Sequence, residues 1–197
     1  MSKTRSSLLA ATVAEILERG EAGVRIESIL AAAGSSFSSL YHHFGNREGL
    51  IVAAEISLLT GPISRDFEMF ADMAKAVTNR DELVSWLKAG IAQTHSSTNS
   101  DERALQLSIY NSAATKPALA AALAETSAQV TDVLASMFAD LRSRDLFSSA
   151  YSDRVIAQYI RVLVLGQIVI ERDETPTSLD QWHAVVFTTL CSLLEIE

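Results

Sequence analysis

Proline interrupts this 197-residue chain only at Pro62, Pro117 and Pro176, and that scarcity constrains the fold more than any other feature. Between the prolines, apolar residues recur at spacings of three and four, the period of an amphipathic helix rather than the alternation of a strand. The spacing predicts an all-α chain. Leu9, Val13, Ile16 and Leu17 mark the inward stripe of a first helix over 6–19, which Gly20 and Gly23 end. Short helices are expected over 25–33 and 37–44, with Gly34-Ser35-Ser36 between them and Gly45-Asn46 after. Asn46 can cap the next helix through its side-chain oxygen. Leu50, Ala54 and Leu58 face inward on that helix up to Gly61-Pro62, where it is expected to break.

Pro62 suits a first helical position, so another helix is expected over 62–78, with Ile63, Phe67, Phe70, Ala74 and Val77 inward. Three more follow over 80–96 (Leu83, Trp86, Leu87, Ile91), 101–114 (Leu105, Ile109, Ala113) and 117–144 (Leu119, Leu123, Val130, Val133, Met137, Leu141). The polar run 96–100 is read as a link. Two last helices, over 153–172 and 179–195, carry apolar residues on more than one face. Ser178 with Gln181 three residues on has the form of a capping box.

Several function classes fall away on residue inventory. Cys191 is the only cysteine, so no intrachain disulfide and no cysteine-based zinc site is expected, and a reducing cytoplasm is the simplest home. No apolar run approaches the ~18–20 residues of a membrane span, and the N-terminal stretch, interrupted by Glu15 and Glu18, lacks a signal-peptide core. The four histidines, His42, His43, His95 and His183, show no metal-ligand spacing. With no phosphate loop, nucleophile elbow or paired-carboxylate motif, no catalytic residue, cofactor or metal is expected.

The segment 29–44 has the form of a helix-turn-helix, with Gly34 where the two helices turn. A helix that enters the ~12 Å major groove needs a short polar face toward the bases and an apolar face toward its own domain. Ser35, Ser36, Ser38, Ser39, Tyr41 and His42 fit the first requirement; Leu40 and Phe44 fit the second.

These residues resemble the TetR family of bacterial transcription regulators, in Ala33-Gly34, Leu40-Tyr41-His42-His43-Phe44, Gly45-Asn46-Arg47-Glu48 and Leu50. The resemblance covers about residues 5–55; beyond 60 only the helical layout is similar. It implies that Ser35, Ser36, Phe37, Ser38, Tyr41, His42 and Arg47 face DNA, with Arg25 near a phosphate. Arg25, Phe37 and Ser38 depart from the family's usual Thr, polar residue and Gly. Phe37 has two readings: contact with a thymine methyl, or a wedge between the helices of the head. His43 and Phe44 are expected to pack inward.

The implied organisation is a helix-turn-helix domain over 1–47 and a helical effector-binding and dimerisation domain over 48–197. The resemblance also implies a homodimer through the two C-terminal helices. Phe67, Phe70, Trp86, Tyr110, Asn111, Met137 and Gln167 mix apolar with isolated polar groups, as the lining of a site for a small apolar effector does. The expected function is an operator-binding repressor released by that effector. A regulator without an effector, an activator, and a helical interaction module that does not bind DNA remain open alternatives.

Net charge of −8 opposes nucleic-acid binding at first sight. Its distribution does not: the first fifty residues hold five basic and five acidic side chains, so the whole excess lies beyond them.

Overall fold

The computed structural model describes residues 2–96, 99–175 and 177–196, with backbone alone over 62–68. The expected inward side chains of Ile63 and Phe67, and Ser97 and Thr98 of the link, lie outside the described residues. Among the described residues there are nine α-helices, one 3-10 turn and no strand. The helices are α1 (Lys3–Arg19), α2 (Ile26–Ala33), α3 (Phe37–Phe44), α4 (Arg47–Ala76), α5 (Arg80–Thr94), α6 (Ser100–Ala113), α7 (Pro117–Ser143), α8 (Asp153–Glu171) and α9 (Leu179–Leu193). The 3-10 turn Glu21–Gly23 separates α1 from α2.

Two compact units divide the chain: Met1–Pro62 with Ile109–Thr126, and Ile63–Ser108 with Ser127–Glu197. In the first, α1 packs on α2 and α3, around Leu8, Ile16, Ile29, Leu30, Leu40 and Leu50. In the second, α5 packs on α9. Its main core joins Phe70, Leu83, Trp86, Phe138, Leu141 and Ile156.

Local chemistry sets the helix ends. The side chains of Ser2, Ser36, Asn79, Ser152 and Ser178 each accept a backbone N–H from the first turn of the helix that follows, satisfying one of its free donors. Asn46 does the same for α4, accepting from Gly49 N–H at 2.8 Å.

Two expectations need correction. Gly61-Pro62 does not break the helix: α4 runs continuously through it. Pro62 removes one helical N–H, while packed residues on either side, Leu50, Ile51 and Ala54 before and Phe70 and Ala74 after, sit in cores that hold both arms helical. The inward stripe of α1 is also rotated from the expected one, as is the middle of α7, whose Leu119, Leu123 and Leu141 are buried as expected. Leu8, Thr12, Glu15 and Ile16 are buried on α1 while Leu17 is exposed; on α7, Thr131, Leu134 and Phe138 are buried while Val133 is exposed. Thr12 enters the core because its hydroxyl donates to the Leu8 carbonyl at 2.7 Å, and Thr131 because its hydroxyl donates to Ser127 O at 2.9 Å.

Candidate nucleic-acid interface

A two-hydrogen-bond terminus makes the turn between α2 and α3. Gly34 takes the left-handed conformation at φ 56°, Gly34 N–H donates to Ala31 O at 3.2 Å, and Ser35 N–H donates to Leu30 O at 2.9 Å. Glycine is suited to that φ because it has no Cβ to clash. Ser36 then caps α3, its hydroxyl accepting from Ser39 N–H at 3.3 Å and lying 3.2 Å from the Ser39 hydroxyl. Leu40 is the buried anchor of α3, 2% exposed.

With Leu40 inward, Ser36, Phe37, Ser38, Tyr41 and His42 are exposed, as are Arg25 and Arg47. Phe37 and Tyr41 are 48% and 57% exposed, which is unusual for large rings and leaves both free to meet another molecule. A depression of about 420 Å³ lies against Arg25, Glu27, Phe37, Tyr41 and Arg47. Arg47 Nη2 donates to Val24 O at 3.3 Å, tying the start of α4 to the entry of α2. Ser35 is the exception: half-buried, with a hydroxyl oxygen that meets neither solvent nor a partner.

His43 and Phe44 are both half-buried. His43 Nε2 lies 3.3 Å from the Ser2 hydroxyl, and Phe44 packs on the first unit's core with the Arg5 guanidinium 5.1 Å above its ring.

Glu15, Glu21 and Glu55 have partners within this unit. Glu15 pairs with Arg19 at 3.3 Å, and Glu21 accepts from Ser112 at 3.3 Å and pairs with Lys116. Lys116 lies 3.8 Å from Glu55. Burial pushes the Glu55 carboxyl above the ordinary carboxylate range, against the pull of Lys116.

Sequence reasoning missed Gly49. A Cβ there would lie 2.1 Å from the Phe44 carbonyl oxygen, so no larger residue fits without a backbone shift. A glycine inside the first turns of a helix is the signal that marks it.

Of the residues expected to line an effector site, Phe70 and Trp86 are buried together and Met137 packs on the same core. Trp86 Nε1 donates to Phe70 O at 3.2 Å. Gln167 is buried elsewhere in that unit, donating to His95 O at 2.9 Å. Tyr110 and Asn111 belong to the first unit, Tyr110 half-buried and Asn111 exposed. No helix is long and apolar enough to cross a membrane, and no group of three or more His, Cys, Asp or Glu could hold a metal, both among the described residues.

A short helix, a glycine turn and a second helix with an exposed polar and aromatic face make a helix-turn-helix. Residues 8–54 match the family model of the bacterial regulatory proteins, tetR family. That match covers the helix-turn-helix domain, about a quarter of the chain.

The fold is shared over nearly the whole length with solved structures. A TetR-family transcriptional regulator from Cytophaga hutchinsonii is 17% identical, at TM-score 0.70, with 98% of each chain covered. GusR of Salmonella enterica is 20% identical, at TM-score 0.67, over 98% of this chain and 95% of that one. A transcriptional regulator from Rhodococcus sp. is 18% identical, at TM-score 0.63, over 95% of this chain and 96% of that one. No curated protein sequence matches the chain.

Proposed function

We propose that this protein is a transcriptional repressor that binds operator DNA as a homodimer in the cytoplasm and is released by a small-molecule effector. The observation that carries the reading is the exposed face of α3, flanked by Arg25 and Arg47. In it, residues 1–47 read DNA and residues 48–197 dimerise and bind the effector. Arg25, Arg47, Tyr41 and His42 take phosphates. Ser36, Phe37 and Ser38 lie at the N-terminal end of the recognition helix, where base contacts carry specificity. Ser36 is committed to capping, so its share of the interface is to fix the helix start.

Dimerisation through α8 and α9 is supported by their exposed apolar side chains. Val155, Val162 and Val169 recur every seven residues on α8 and are 46%, 67% and 68% exposed; Val185 on α9 is 58% exposed. In a two-fold dimer the two recognition helices must sit ~34–36 Å apart, or a multiple, to enter successive major grooves. An effector that favours a different head spacing lowers operator affinity by that preference. Phe70, Trp86, Met137 and Gln167 are the second-unit residues assigned to its surroundings.

The experiment is binding-site selection from random DNA by the wild type and by Phe37→Ala. Apolar readout predicts that the variant still binds but loses preference for T at one position of each half-site. An unchanged consensus for a fully folded variant contradicts the contact.

A further inference from the structure

Six side-chain carboxylates lie between the N-terminus and Pro62, all of them glutamates. Four are paired: Glu15 at 3.3 Å and Glu18 at 3.2 Å with Arg19, and Glu21 and Glu55 with Lys116. Glu27 and Glu48 are exposed and make no ion pair or hydrogen bond among the described residues. Each stands in the first turn of a helix, Glu27 of α2 and Glu48 of α4, where the helix dipole favours negative charge. Position separates them. Glu27 lines the depression of about 420 Å³ that also meets Arg25, Phe37, Tyr41 and Arg47, and Glu48 does not.

That depression is open, since Arg25, Glu27, Phe37, Tyr41 and Arg47 are all exposed. Glu27 therefore meets whatever molecule these side chains meet. Neither arginine neutralises it by pairing: Arg47 Nη2 is turned to Val24 O at 3.3 Å, and no ion pair joins Arg25 to Glu27. A carboxylate turned toward DNA is repelled by phosphates, so its presence on this face calls for a hydrogen-bond donor on the DNA.

The chemistry of the major groove narrows that donor. An ionised carboxylate only accepts hydrogen bonds. The base edges in the groove offer donors at cytosine N4 and adenine N6, while guanine and thymine present acceptors and no donor. The adenine donor stands between two acceptors, its own N7 and the O4 of the paired thymine, and both repel a carboxylate. The cytosine donor has an acceptor on one side only, the O6 of the paired guanine, and a C–H on the other. A carboxylate therefore prefers cytosine to the other three bases.

We propose that Glu27 is a specificity-determining residue that accepts a hydrogen bond from the N4 amino group of a cytosine in each half-site. Phe37 opens α3 on the same depression, so the cytosine lies next to the base pair that Phe37 meets. Arg25 and Arg47, on the same rim, offset the repulsion between Glu27 and the phosphates. The inference rests on the DNA-binding reading above and adds to it a base reader on α2, outside the recognition helix.

Binding-site selection from random DNA by the full-length wild type, Glu27→Ala and Glu27→Gln tests the assignment. At so exposed a site both variants are expected to fold, which urea midpoints check. Glu27→Ala is expected to lose a roughly tenfold preference for cytosine at one position of each half-site, the worth of one good base contact, and to keep the rest of the consensus. Glu27→Gln is expected to move that position from cytosine to adenine, because an amide meets adenine N6 and N7 together. A role confined to the helix dipole lowers the midpoints and leaves the consensus of both variants identical to the wild type's, and that result overturns the proposal while DNA binding stands. A wild type that selects no consensus at all overturns the DNA-binding reading along with it.

Discussion

Gly49 is the residue at which the first unit's backbone has least room, because any Cβ would meet the Phe44 carbonyl oxygen. Gly49→Ala is expected to destabilise the protein by about 1–3 kcal/mol, the usual cost of forced overpacking, read as a lower urea midpoint; a midpoint equal to the wild type's contradicts the contact. His95 sets a pH dependence. Its pKa falls from 6.5 to about 4 on burial, beside His183 of α9, Arg103 of α6 and Glu171 of α8. A depressed pKa contributes stability that is whole above about 6.5 and is lost as pH falls to about 4, at most about 3 kcal/mol. His95→Asn should flatten the stability profile between those values relative to the wild type, and an unchanged slope contradicts the assignment. The sequence marks His95 as one histidine among apolar neighbours. Its partners lie on helices far away in the chain, so its neutrality is not readable from spacing.

Hydrophobic periodicity reveals helices because turns repeat every 3.6 residues, and α3, α5 and α9 follow it closely. The inward face of a helix is harder to read where polar residues are buried. Thr12, Glu15, Arg103 and Gln167 are all inside, each admitted by a hydrogen bond or ion pair whose partner a hydropathy pattern does not see. Conversely Leu17 and Val133 are exposed, because the helix has more apolar residues than its buried face holds. The heptad of Val155, Val162 and Val169 on α8 fits neither explanation within one chain, since three large apolar groups in register stay open. Val162→Asp places like charges near a two-fold axis and is expected to weaken dimerisation roughly a hundredfold, with little change in monomer stability at so exposed a site. Sedimentation equilibrium checks this; an unchanged mass across dilution contradicts the α8 interface.

At the scale of the molecule, the resemblance of residues 8–54 to the tetR-family domain was legible because the Leu40–Phe44 run and its flanking glycines combine a conformational need with an exposed polar face. The composition of the compact units was not. Residues 109–126 join the first unit through contacts such as Glu21 with Ser112 and Lys116, which join segments about ninety residues apart in sequence. Those contacts also bear on charge. Glu15 and Glu21 are occupied by Arg19, Ser112 and Lys116, which leaves Lys3, Arg5, Arg25 and Arg47 as the cations available to phosphate. A dimer that uses three or four of them per head neutralises about 6–8 phosphates, and the account predicts a log–log slope of operator affinity against salt near −5 to −7. Titrating binding of the full-length protein to the DNA upstream of its own gene, over a range of salt concentrations, measures that slope directly. A value in that range supports DNA binding through the neutral head of an otherwise acidic protein. Absence of binding, or a slope near zero, contradicts it.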